Sequence, residues 1–198
     1  MEKKKIITED FFIGNLGNPE VTDTIKQAYA LSSNSNVDEI SEYDYDAETG
    51  ATSAVKLDSI RKCHVSWLDV KKTNFIENGF RNLIESVNDV SWKINLKHEW
   101  ETDIQFTKYI GKGEHYDWHR DHYPGKSLKK SERRISIVYS LSNRTDYEGG
   151  LFQIKKSNGA IHSVKFDYGD FIIFPSIKLH RVKPLKSGTR ITMVGWYR

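Results

Sequence analysis

A single cysteine, Cys63, stands in 198 residues, so no internal disulfide can form, and a reducing, intracellular setting fits. No run approaches the roughly 20 apolar residues of a membrane-spanning helix. The start, Met1-Glu2-Lys3-Lys4-Lys5 followed by Ile6-Ile7-Thr8-Glu9-Asp10, lacks the apolar stretch of a signal peptide. These absences lead us to expect a soluble, cytoplasmic protein with no membrane partner. Internal repeats and low-complexity tracts are missing too, which excludes solenoids and arrays. Neither sign of charge dominates: the net is +3 with an isoelectric point near 8.8. That balance does not by itself imply nucleic acid. The length suits one sizeable core, and one domain is expected over residues 1–198.

What the chain does contain is short strands and a few helices. Lys5–Ile13 reads as a first strand. Asn18-Pro19-Glu20 starts a helix, with Asn as cap and Pro in the first turn, expected to run to about Leu31. Residues 32–53 change texture, from Ser/Asn to Asp38, Glu39, Glu42, Asp44, Asp46 and Glu48. They read as a long polar loop, either a solvated surface or a lid. Arg61–Leu68 is a strand, and its His64 reads as structural. Ile76, Phe80, Leu83, Ile84 and Val87 fall on one face of a helix over Thr73–Val90, with Thr73 as N-cap.

From residue 101 onward the period is two. Gln105, Thr107 and Tyr109 alternate with Ile104, Phe106, Lys108 and Ile110, and the first set would line a pocket. Gly111 and Gly113 permit a turn and lack the strand-to-helix context of a phosphate loop. Pro124–Arg134 is a basic loop. Strands follow at Ile135–Leu141, Leu151–Ile154, Ile161–Phe166, Phe171–Phe174, His180–Val182 and Thr189–Tyr197, with a turn at Asp146–Gly150. Regular short strands with turn signals imply a barrel or a double-sheet jelly roll. The fold class expected is mainly β, with N-terminal helices packed on one sheet.

Within this half lies Y-I-G-K-G-E-H-Y-D-W-H-R-D-H, Tyr109–His122. On a strand, His119 and Asp121 project to one side. His180 appears far downstream, and Arg190 follows ten positions later. Two His and one carboxylate with open coordination positions form the facial triad of non-haem Fe(II) oxygenases. A guanidinium nearby suits a carboxylate, which it binds in bidentate fashion.

Tyr109–Arg198 resembles the catalytic domain of the 2-oxoglutarate- and Fe(II)-dependent dioxygenases. Within them it is similar to the prolyl 4-hydroxylase branch, including the hypoxia-factor prolyl hydroxylases and the bacterial PKHD-type hydroxylases. The carriers are Y-x-G-x-G-x-x-Y-x-x-H-x-D at Tyr109–Asp121, E-G-G-L-F at Glu148–Phe152, and H-R-V-x-P-x-x-x-G-x-R at His180–Arg190. The resemblance implies a jelly-roll (double-stranded β-helix) core over 101–198 and a support region over 1–100. It implies Fe(II) on His119, Asp121 and His180, and 2-oxoglutarate and O₂ as co-substrates. Ascorbate enters only as a habit of the family. Arg190 is expected on the distal carboxylate of 2-oxoglutarate, with Tyr109, Thr192 and Ser136 beside it.

Ser140 stands where several relatives carry a second co-substrate Tyr, and Tyr139 is one position off. Trp196, Trp118, Tyr116 and Tyr139 are candidates for the substrate rim, and core packing explains them as well. His115 shares face parity with His119 and matches no family ligand. The reaction implied is hydroxylation of a peptidyl substrate, with proline as the target, coupled to release of succinate and CO₂. A nucleobase demethylase would carry a second Arg six positions after the first, where this chain has Trp196. A non-catalytic metal-binding cupin-like module is the third reading. Nucleic acid is not expected as a partner.

Overall fold

The computed structural model describes residues 6–16, 44–45, 52–53, 60–68, 74–100, 104–122 and 132–198. The helix expected from Asn18, the Thr73 cap, the basic stretch 124–131 and most of 32–53 lie outside them. Strands run in chain order as β1 (Ile6–Ile7), β2 (Phe12–Asn15), β3 (Asp44–Tyr45), β4 (Thr52–Ser53), β5 (Arg61–Lys62) and β6 (His64–Leu68). Helix α1 (Asn74–Ser91) follows, then β7 (Ile104–Tyr109), β8 (His115–His119), β9 (Ile135–Ser140), β10 (Tyr147–Gly149) and β11 (Phe152–Lys155). The chain closes with β12 (Ile161–Val164), β13 (Asp170–Pro175), β14 (His180–Val182), β15 (Leu185–Gly188) and β16 (Arg190–Tyr197).

Seven strands form the larger sheet, in the order β1-β2-β13-β9-β16-β7-β6, and five form the smaller, β12-β11-β14-β8-β5. Pairing is antiparallel throughout. The result is the expected jelly roll, with α1 packed on the larger sheet.

Strand alternation sorts side chains into two cores. Ile104 and Phe106 of β7, Ile135, Ile137 and Tyr139 of β9, and Met193 and Tyr197 of β16 face α1. There they meet Ile76, Phe80, Ile84 and Val87, the face that the helical period marks out. Intervening residues turn the other way. Val138, Ile172, Phe174 and Tyr109 meet Phe152, Ile154 and Val182 of the smaller sheet. The pocket opens at the polar end of this second layer.

Four local readings change. The expected first strand is a hairpin: Ile6 pairs with Ile13. Thr8 makes its turn, its Oγ1 accepting from the backbone N–H of Asp10 and Phe11. Arg61–Leu68 is two strands, since the chain crosses at Cys63 from the smaller sheet to the larger. Within 32–53, Asp44–Tyr45 pairs with Thr52–Ser53. The segment read as a turn at Asp146–Gly150 contains β10, which pairs with β15.

The helix side carries stability. Ile84 is 0% exposed there, whereas Val90 on the same helix is 73% exposed. Ile84→Ala should destabilise the fold by about 2–5 kcal/mol through lost transfer energy and a cavity. Val90→Ala should change it by about 0.5 kcal/mol or less. Chemical denaturation of the two variants checks the contrast.

Candidate metal centre

β8 and β14 lie side by side, with His119 opposite His180 in register. Asp121 follows β8 directly, and its backbone N–H donates to the Ser176 carbonyl (3.0 Å) just after β13. These three side chains meet: their donor atoms all lie within 4.8 Å of one another. His119 Nε2 is 3.9 Å from Asp121 Oδ1, and His180 Nε2 is 3.6 Å from Asp121 Oδ2.

Each imidazole is held from behind. His119 Nδ1 lies 2.8 Å from the Asp117 carbonyl oxygen, and His180 Nδ1 lies 2.9 Å from that of Lys178. A carbonyl only accepts, so both Nδ1 atoms carry the proton and both Nε2 atoms face Asp121 with a free lone pair. That is the tautomer a metal requires. Burial, and then the neighbouring His180, hold the His119 imidazole neutral far below its ordinary titration range. Burial alone would push the Asp121 carboxyl up. His180, His119, Arg133 and the Ser136 hydroxyl outweigh it and hold the carboxyl down at about 2.

Ser136 on β9 donates from Oγ to Asp121 Oδ2 (2.7 Å) and meets Ser176 Oγ (2.8 Å). Its hydroxyl is thus engaged with the metal-facing carboxylate. His180 is steadied at longer range. Asp10 accepts from Lys178 Nζ and from the backbone N–H (2.9 Å) and Oγ (2.7 Å) of Ser157. The N-terminal hairpin thereby pins the loop whose carbonyl orients the distal imidazole.

Arg190 opens β16 opposite Tyr109 on β7, with its guanidinium carbon 5.2 Å from the Tyr109 ring centroid. It is 1% exposed, and Nε and Nη2 have no hydrogen-bond partner among the described residues. A buried guanidinium left short of acceptors is a cradle for an anion. Gly150 of the E-G-G-L-F run has φ of +56° and sits where a Cβ would come within 3.1 Å of Arg190 Cδ. Only glycine leaves room there for the arginine stem. Burial raises the Tyr109 phenol well above its usual range, so it stays a hydrogen-bond donor. Thr192, two residues on, is buried on the same face. The donor set and this anion cradle fit an iron(II) ion with a dicarboxylate co-substrate.

A family model described as the 2OG-Fe(II) oxygenase superfamily matches residues 104–198. That stretch, just under half of the chain, is similar to the superfamily. A PKHD-type hydroxylase of Prochlorococcus marinus (strain MIT 9515) is 41% identical over 93 residues, which cover 47% of this chain and 40% of the relative. Another from Psychrobacter sp. (strain PRwf-1) is 38% identical over 89 residues, covering 42% of this chain and 33% of the relative. The matches therefore span well under half the length of these curated relatives. Among solved structures, a Pseudomonas putida prolyl-4-hydroxylase superposes with TM-score 0.70 at 18% identity, covering 96% of this chain and 93% of that one. A prolyl hydroxylase from Trichoplax adhaerens, solved with a hypoxia-inducible-factor peptide fragment, gives TM-score 0.70 at 20% identity, covering 96% and 84%. At these identities the likeness is one of fold.

The remaining aromatic candidates separate. Trp196 faces inward, paired with Ser136 across β16 and β9, and the Arg133 guanidinium lies 3.8 Å from its ring centroid. Tyr116 stacks on His119 at 3.5 Å between centroids. A bulge in β8 explains this: His180 pairs with His119 but Val182 pairs with Tyr116, so Asp117 and Trp118 of β8 face Arg181 alone on β14. Strict parity would have put His115 on the ligand side; the bulge puts Tyr116 there. Trp118 packs beneath Arg181 (4.5 Å). Tyr139 is a correction: it is 0% exposed on the α1 side, its ring 5.8 Å from that of Phe80, and it cannot line the pocket. Ser140 points inward beside Thr192, with its hydroxyl donated to the Ser142 carbonyl (3.1 Å).

Two features escaped the sequence. Ser176 carried no signal at all. Arg61 on β5 lies 4.5 Å from the Tyr116 ring centroid and donates to Gln105 Oε1 (2.9 Å), a contact spanning 44 positions. Nothing local marks such a reach. His64 ends beside Glu114 (3.3 Å), outside the ligand set.

Removing the Ser136 hydroxyl frees one lobe of the Asp121 carboxylate. Ser136→Ala should weaken metal binding about 10- to 100-fold, as read by anaerobic Fe(II) titration. Unchanged affinity would show that the hydroxyl does not orient the ligand.

Proposed function

We propose that this protein is an Fe(II)- and 2-oxoglutarate-dependent dioxygenase that hydroxylates a peptidyl substrate, with proline as the target residue. The observation that carries the reading is the union of the His119–Asp121–His180 cluster with an unsatisfied guanidinium at Arg190 in one pocket. His119, Asp121 and His180 would hold the iron. Iron bound there supplies the oxygen chemistry that couples decarboxylation of 2-oxoglutarate, to succinate and CO₂, with hydroxylation of a C–H bond.

The chain's own residues do the rest. Arg190 would take the distal carboxylate in a bidentate grip, with the Tyr109 phenol and the Thr192 hydroxyl as further donors. Asp121 remains ionised and the His119 ring neutral, so neither surrenders its lone pair to a proton at neutral pH. Phe152 and Phe174 pack against the His180 ring, with centroids 5.6 and 4.7 Å away. They wall off water from that side of the centre. Trp196 would be the aromatic surface against which a pyrrolidine ring packs, since Tyr116 is covered by His119 and Arg61. The prolyl part of the reading is supported by the fold neighbours, both prolyl hydroxylases, and the hydroxylase part by the PKHD-type relatives.

Succinate release from 2-oxoglutarate with Fe(II) and O₂ tests the reaction, and a one-oxygen mass gain on proline-containing peptides tests the target. Arg190→Ala should raise the KM for 2-oxoglutarate about 100-fold, since a charge-assisted bidentate pair of about 3 kcal/mol is lost. An unaltered KM would remove Arg190 from the co-substrate site. A mass gain on free amino acids alone would remove the peptidyl reading.

A further inference from the structure

The oxygenase reading gives Arg190 an anion and leaves a second pocket guanidinium without one. Arg61 is only partly exposed. Its partners are neutral: Nε donates to Cys63 Sγ (3.1 Å), Nη2 donates to Gln105 Oε1 (2.9 Å), and the guanidinium plane lies over Tyr116. Among the described residues no carboxylate touches it. A guanidinium stays charged at any working pH, and burying it unpaired is unfavourable. Arginines are placed this way where a planar anion is to be recognised.

Position says which anion. The Tyr116 ring that Arg61 covers is the one stacked on His119. Arg61 is therefore one aromatic ring away from a metal ligand, and Tyr109 lies within the fields of both Arg61 and Arg190. The two carboxylates of 2-oxoglutarate are already accounted for, one by Arg190 and one by the metal.

We propose that Arg61 is a substrate-specificity residue that binds a carboxylate of the substrate, so that the enzyme selects an acidic chain: an Asp or Glu side chain, or a terminal carboxylate, next to the carbon that is oxidised. This rests on the oxygenase reading for the identity of the pocket and goes beyond it in naming the substrate's charge.

The test is binding of matched probe pairs to the protein loaded with Mn(II) and 2-oxoglutarate without turnover, read by calorimetry. The pairs are N-acetylproline and N-acetylprolinamide, acetyl-Pro-Asp-amide and acetyl-Pro-Asn-amide, and acetyl-Asp-Pro-amide and acetyl-Asn-Pro-amide. In at least one pair the carboxylate member should bind about tenfold tighter or more. Arg61→Gln should erase that preference and Arg61→Lys should keep part of it, since a point charge remains without the planar fork.

Equal binding of acid and amide in every pair overturns the proposal on the unaltered protein, whatever the variants do. A preference that survives Arg61→Gln also overturns it. So does a loss confined to 2-oxoglutarate affinity, which would assign Arg61 to the co-substrate. Succinate release measured in parallel judges the oxygenase reading separately. Its absence would remove the reaction while the binding comparison still decides what Arg61 recognises.

Discussion

Two hydrogen bonds from imidazole Nδ1 to backbone carbonyls, at Asp117 and Lys178, set the character of the whole centre. They fix which nitrogen of each ring is bare and aim both bare nitrogens at Asp121. Everything around them serves that arrangement. The β8–β14 pairing places the rings opposite each other, Ser136 and Ser176 hold the carboxylate, and Asp10 anchors the loop behind His180. A site with either proton on Nε2 would have the same residues and one ligand fewer for a cation.

The larger sheet does two tasks with one alternation. Along β9, Ile135, Ile137 and Tyr139 face α1, while Ser136 and Ser140 face the pocket. Along β16, Met193 and Tyr197 face α1, while Arg190, Thr192 and Trp196 face the pocket. The helix-side layer is apolar and rigid, so the inward polar residues sit on a backbone that is stabilised from the far side. The pocket can then hold an unsatisfied Arg190, a destabilising element, because the packing of Ile84, Phe80 and their partners compensates elsewhere.

How much could be read from the chain alone follows from this. Strand period places Gln105, Thr107 and Tyr109 inward, and puts Arg190 and Thr192 on one face; the coordinates agree. Those strands are long and regular, so parity survives. On β8 it fails, because a bulge is an extra residue that no periodicity announces, and Tyr116 rather than His115 reaches the ligand side. The same parity already set Tyr139 opposite Ser140, and its place in the α1-side core follows from that alternation. Helix α1 was plain from its apolar spacing. The Thr8 turn and the crossing at Cys63 were not, since neither is marked by glycine or proline. Arg61 and Ser176 were invisible because their partners lie far off in sequence, where only folded topology brings them near.

The account stands on two imidazoles and one carboxylate sharing an ion. X-ray absorption at the iron edge of the iron-loaded protein tests that most directly. It should show two imidazole nitrogens among oxygen ligands, falling to one in His180→Ala. A spectrum with no imidazole contribution, or one that His180→Ala leaves unchanged, would contradict the assignment of the centre.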